Sequence, residues 1–143
     1  MLWLAGLHDG VFLVPPFAAT ASILLYLPDV PIARPLPVVI GSTCGAAIGT
    51  AFTWILGFGP VSALIAAVIA AVVLPLSRLY HPPGVALALY PALLHPGAWF
   101  APRVVLPVTL AAVASAALVR GLSRPSGGLG RCKQGQGAEP HRR

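Results

Sequence analysis

The chain is expected to fold as an all-α, polytopic helical membrane protein whose segments are interrupted by proline pairs into half-helices, with a weak internal repeat. Three observations lead there. Of 143 residues, 57% are hydrophobic and only 8% charged, and the mean hydropathy is +0.87; an ordinary soluble domain carries about 25% charged residues. No charged side chain occurs between Pro35 and Ser77, a run of 43 residues. Since a crossing takes about 20 apolar residues at about 1.5 Å rise each, that run is too long for one membrane helix and fits two. Finally, proline (16) and glycine (15) are abundant within and between the apolar segments, where each proline deletes a backbone donor and breaks or redirects a helix.

Five apolar segments follow in order: Val11 to Leu27, Leu36 to Leu56, Val61 to Ser77, Val85 to Leu94 and Val104 to Val119. Pro15-Pro16 opens the first and Pro82-Pro83 the fourth, so non-helical backbone is expected at both places. The second and third make a hairpin broken by GFGP at Gly57 to Pro60. The fourth has about ten apolar residues before His95-Pro96-Gly97, the length of a half-helix or re-entrant segment, unless Gly97 to Ala101 extends it to a full span. Residues 1–120 therefore form the membrane domain, which is expected to lack a helix ahead of its first segment, because the fourth segment is preceded by the helix Val61 to Ser77 and the first only by MLWLAGLHDG. Residues 121–143, rich in Gly, Arg and Gln, form a basic cytoplasmic tail with almost nothing apolar to bury and are expected to be disordered. Met1 to Leu7 is too short an apolar run, without a basic flank, for a signal peptide.

Charge placement supplies an orientation. Six of the nine basic residues (Arg120, Arg124, Arg131, Lys133, Arg142 and Arg143) follow the last segment, so the positive-inside rule puts the C-terminus of a multi-pass protein in the cytoplasm, with the cell (inner) membrane as its location. Arg34 and Arg78 flank the hairpin and share a side. A full crossing by the fourth segment makes both cytoplasmic and leaves Arg103 outside; a re-entrant segment inverts the assignment, and the count favours the crossing. Asp29 and Arg34 share a short loop and are placed to pair, while Trp3, Trp54, Trp99, Tyr26 and Tyr80 fall near segment ends as interfacial anchors. Attraction to anionic lipid accounts for the tail's charge without a nucleic-acid partner.

PPFAATASILLYLP at Pro15 recurs as PPGVALALYPALL at Pro82, a shift of 67 residues that also carries Pro35 onto Pro102. Each unit reads as a proline pair, a short apolar segment, a proline-bearing connection and a full span. Two units that each cross an odd number of times are inverted relative to one another, the arrangement in which transporter sites form at discontinuous helices.

No carboxylate, cysteine or metal-ligand cluster lies in the segments, so neither an enzyme nor a metal or cofactor site is expected. His81 is the ionisable group beside a helix break, able to meet freed carbonyls, water or an anion and to change charge near neutral pH; the plainer alternative is a cap on the preceding helix. Helix N-termini after Pro16 and Pro83 are expected to aim unpaired N–H groups at an anion. Thr20 adds a hydroxyl, with a bond to the carbonyl four residues earlier as the simpler alternative. Gly41, Gly45 and Gly49 line one helix face and read as a packing seam, between helices of one chain or between protomers of a homo-oligomer.

HPPGVALALYPAL at His81, PPFAATASILLY at Pro15, PDVPIARP at Pro28 and VVIGSTCGAAIG at Val38 together resemble the HPP family of integral membrane proteins, over most of Pro15 to Arg120. The resemblance implies a membrane protein without a catalytic site and, from members in plastids and cyanobacteria, nitrite transport. The candidate solute path comprises His81, Pro82, Pro83, Gly84, Pro16, Phe17, Thr20 and Ser42. The chain departs from the family pattern at Gly41-Ser42, where Gly-His is frequent, and at Val85-Ala86-Leu87, where Gly-Ala-Thr is frequent. The alternative function is a non-transporting subunit or scaffold that packs on a partner through the Gly41, Gly45, Gly49 face.

Overall fold

The structure, a computed structural model, describes residues 15–122, which form helices and no strand. Helix α1 covers residues 15–26, and a 3-10 turn follows at Pro31–Ala33. Helix α2 opens with a π turn, Pro37–Gly41, and continues as Ser42–Leu56. Helix α3 is Pro60–Leu76, α4 is Pro82–Leu87 and α5 is Tyr90–Leu94. Helix α6 opens with a second π turn, Ala101–Val105, and continues as Leu106–Leu122. With their π turns, α2 and α6 run for 20 and 22 residues, long and apolar enough to cross a bilayer.

The proline pairs lie inside the helices, not in non-helical backbone as the sequence led us to expect. Pro82 and Pro83 occupy the first turn of α4, and Pro15 and Pro16 belong to α1. Proline suits a first turn, because its fixed φ is already helical and its missing N–H would find no partner there. The break sits one residue earlier: His81 is extended, with φ −136° and ψ 111°, as a residue before proline is forced to be.

Helices α2 and α3 form the expected hairpin, turned by Gly57 and Gly59 at φ 82° and 132°, values that only glycine adopts without strain. Ser62 of α3 donates to the Phe52 carbonyl of α2 near the turn. The face α3 gives to the bundle is small (Ser62, Ala63, Ala66, Ala70), whereas Val61, Leu64, Val68, Val72 and Leu76 point outward and are exposed. In water that polarity is inside out. In lipid, tails are as apolar as leucine, so close packing of small residues decides which face turns inward.

The order of contacts along the glycine seam sets the direction of the next segment. A methyl group added at Gly41, Gly45 or Gly49 would run into the carbonyls of Leu79, Gly84 and Ala88 respectively. Residues 79–88 therefore run alongside α2 in the same direction, backbone against backbone. The segment continues to the hairpin turn, where Gly59 N–H donates to the Ala92 carbonyl at 3.0 Å. Pro82–Leu94 thus passes from the end of the bundle bearing Arg34 and Arg78 to the end bearing Gly57 to Gly59. It does not fold back partway.

Two other clusters orient α6 and α1. Ala101 and Val105 pack with Ala46 and Leu87, while Ala116 packs with Val38 and Leu24, so α6 returns antiparallel to α2. Phe17 joins the first of these clusters and Leu24 the second. Helix α1 therefore descends from the middle of the bundle to the Arg34 end. The pair α1 and α2 runs down then up, and the pair α4–α5 and α6 runs up then down. The two units found by the 67-residue shift are inverted, and each long helix opens with a π turn beside its proline-bearing connection.

Candidate functional site

His81 is completely buried, at 0% exposure. Burial follows from its position: extended backbone at the α3–α4 junction carries its Cβ against Gly41, where the absence of a side chain leaves room. It does not cap α3. The Val73, Leu74 and Pro75 carbonyls at that helix end are taken by the N–H groups of Ser77, Leu79 and Arg78. The imidazole instead reaches two other elements. Its Nδ1 lies 2.9 Å from the Ile32 carbonyl oxygen in the 3-10 turn, and its Nε2 lies 3.0 Å from Thr20 Oγ1 on α1.

Thr20 is itself 1% exposed, and its hydroxyl is also 2.9 Å from the Pro16 carbonyl. Thr43, Thr50, Thr53 and Thr109 each donate to a carbonyl four residues earlier, a common way to satisfy a hydroxyl in an apolar helix. Only Thr20, among these, adds a side chain from another element. Histidine, threonine and two carbonyls form one chain: Ile32 O, His81 Nδ1, His81 Nε2, Thr20 Oγ1, Pro16 O. It ties α1, the connection after it and the start of α4 together.

Ser42 begins the α-helical part of α2, next to Gly41, with its Cα against Gly84 of α4. It is 0% exposed, and its Oγ has no hydrogen-bond partner. An unpaired hydroxyl in an apolar interior costs about 1–3 kcal/mol. A small polar ligand or water meeting Ser42 would recover that loss.

Of the remaining path candidates, Pro16, Pro83 and Gly84 are buried and Phe17 and Pro82 half-buried; Phe17 packs against the cluster of Ala46, Leu87 and Phe100. The expected anion site at the start of α4 needs correcting. That helix has six residues, its first two lack N–H groups, and the Gly84 N–H is bonded to the His81 carbonyl at 2.8 Å. The Gly41, Gly45, Gly49 face is filled by residues 79–88 of the same chain, so it does not lie open to a partner as the scaffold alternative requires. Asp29 and Arg34 are exposed and form no ion pair with each other, contrary to the expected pairing. Trp54, Trp99, Tyr26 and Tyr80 are exposed, Arg103 lies 5.0 Å over the Trp99 ring, and Trp3 lies outside the described residues. Among the described residues no three His, Cys, Asp or Glu side chains are grouped to hold a metal ion.

The role of Ile32 was not legible in sequence, since a carbonyl carries no side-chain signature. Nor was the pairing of Thr20 with His81, 61 residues apart. The internal repeat could have suggested it, because the shift sets the two proline pairs side by side as equivalents.

Outward-facing large apolar side chains, two crossing-length helices and a small polar site enclosed among small residues define a helical integral membrane protein. The chain belongs to the HPP family: the family model described as HPP, transmembrane region, matches residues 1–126. No curated protein and no solved structure shows significant similarity to it.

Proposed function

We propose that this protein is a multi-pass transporter of a small inorganic anion, nitrite by family resemblance, in the cell (inner) membrane with its C-terminus in the cytoplasm, and that it is not an enzyme and uses no cofactor. One observation carries the reading: a fully buried His81–Thr20 pair, with the unpartnered Ser42 hydroxyl nearby, sits where two proline-broken segments of opposite direction meet. Ionisable groups enclosed within a membrane protein are costly and are retained mainly for function. The chemistry suits a small anion. A protonated imidazole offers positive charge, and the Ser42 hydroxyl offers a donor with no competing partner.

Uptake of nitrite by proteoliposomes tests this directly. Protein-dependent, saturable uptake is expected to rise as pH falls through the range in which histidine gains its proton, because the cationic ring attracts the anion. Nitrous acid crosses lipid unaided, so each pH needs its empty-liposome control. Uptake equal to that of empty liposomes at every pH would contradict the proposal.

A further inference from the structure

We propose that the His81 site takes up one proton together with each anion, so that the protein is a proton-coupled anion symporter; this rests on the transport reading above. The chain of contacts supports it by proton count. Three close approaches link its five atoms: Ile32 O to Nδ1 at 2.9 Å, Nε2 to Thr20 Oγ1 at 3.0 Å and Oγ1 to Pro16 O at 2.9 Å. Each needs one proton between its heavy atoms, and the two carbonyls at the ends can only accept. A neutral imidazole supplies one proton and the threonine hydroxyl a second, so one approach goes unfilled. The imidazolium supplies two, and with the hydroxyl all three are filled.

The two protonation states therefore have different bonding. In the cationic state Nδ1–H donates to Ile32 and Nε2–H donates to Thr20, whose hydroxyl donates to Pro16. In the neutral state with Nδ1–H on Ile32, Thr20 must turn its hydrogen to Nε2 and release Pro16. Proton binding thus changes the link between α1 and α4, the two proline-opened segments of the inverted units.

The cationic state lacks a counter-charge from the protein. Helices α1 to α5 carry no acidic side chain; Asp29, in the connection after α1, is the one acid among the described residues and is exposed. Arg34 in that connection, Arg78 and Tyr80 before α4, and Tyr26 at the end of α1 are exposed as well, while Cys44 on α2 and Tyr90 on α5 are half-buried. Arg103 and Arg120 on α6 add no negative charge. A buried cation without a partner is strongly disfavoured, and a small anion entering beside Ser42 removes that penalty. Proton and anion each favour the other, and the pair moves without net charge.

The test is made on the full chain in proteoliposomes carrying a trapped pH indicator, with nitrite added outside and an imposed potassium diffusion potential, empty liposomes being subtracted throughout. The expected result is about one proton entering per nitrite and steady-state accumulation unchanged by the potential. An uncoupled anion carrier would shift accumulation about tenfold for each imposed 59 mV and carry no proton. His81→Gln can donate to Ile32 and accept from Thr20 without titrating, and is expected to keep thermal stability while losing protein-dependent proton entry. Nitrite uptake with tenfold potential dependence and no proton entry in the wild type overturns the coupling and leaves the transport reading intact. Absence of any protein-dependent nitrite uptake overturns both.

Discussion

Thr20 carries two hydrogen-bonding partners where Thr43 carries one, and that difference predicts unequal costs for the same isosteric change. Thr20→Val leaves the buried His81 Nε2 without its partner, so a loss of about 1–3 kcal/mol is expected. Thr43→Val gives up only a bond to the Val39 carbonyl in a half-buried position, and should cost less than about 1 kcal/mol. Equal thermal stability of the two variants in detergent would show that the Thr20–His81 contact contributes nothing. Ser42→Ala removes a hydroxyl with no partner, so stability without substrate should hold or rise while nitrite uptake weakens. A drop in both would mark Ser42 as structural. At this scale the sequence showed which side chains to examine, His81 above all, because it is an ionisable residue directly before Pro-Pro at the end of a long apolar helix, although a helix cap explained it equally well in sequence. It could not show the partners, which come from a backbone carbonyl and a helix far along the chain.

The glycine seam was legible as an element because its spacing of four places three glycines on one helix face. Which partner fills it was not, since α3 and α4 both follow α2 closely in sequence. The structure puts backbone carbonyls of residues 79–88 over all three glycines, and backbone cannot step aside as a flexible side chain can. Gly45→Leu should therefore cost more than the roughly 1–3 kcal/mol of ordinary overpacking, whereas Leu at Ala47, which is exposed, should change little. Equal melting temperatures for G45L and A47L would contradict this packing. The two π turns escaped sequence reading altogether. A widened turn keeps the hydrophobicity of the helix it interrupts, so nothing in the pattern marks Pro37–Gly41 or Ala101–Val105 beyond their leading prolines. That both turns open the long helix of an inverted unit relates them to the repeat more than to their own residues.

Across the whole molecule, Pro82–Leu94 traverses the bundle from the Arg34 and Arg78 end to the hairpin turn, so the proposed cytoplasmic C-terminus carries with it the prediction that Arg34 and Arg78 face the cytoplasm. In a background without the native cysteines, Cys placed at Arg34 or Arg78 should react with an impermeant reagent from the cytoplasmic side, and Cys at Ala98 only from the opposite side. Labelling of all three from one side would mean that the segment re-enters. The architecture was legible in outline because charge-free length and proline placement are coarse properties of the chain; the inversion of the two units required the contact order of Phe17, Leu24, Val38, Ala46, Ala101 and Ala116. The central claim is that a small anion meets His81 at the α3–α4 junction, toward the Arg34 and Arg78 end of the bundle. Imidazole nitrogen NMR of the full-length protein in detergent, titrated with nitrite, tests it most directly. The account predicts a saturable shift of the His81 resonances with those of His95, at the far end of the bundle beside Phe58, unmoved. Resonances of His81 that ignore nitrite, or a shift confined to His95, would contradict it.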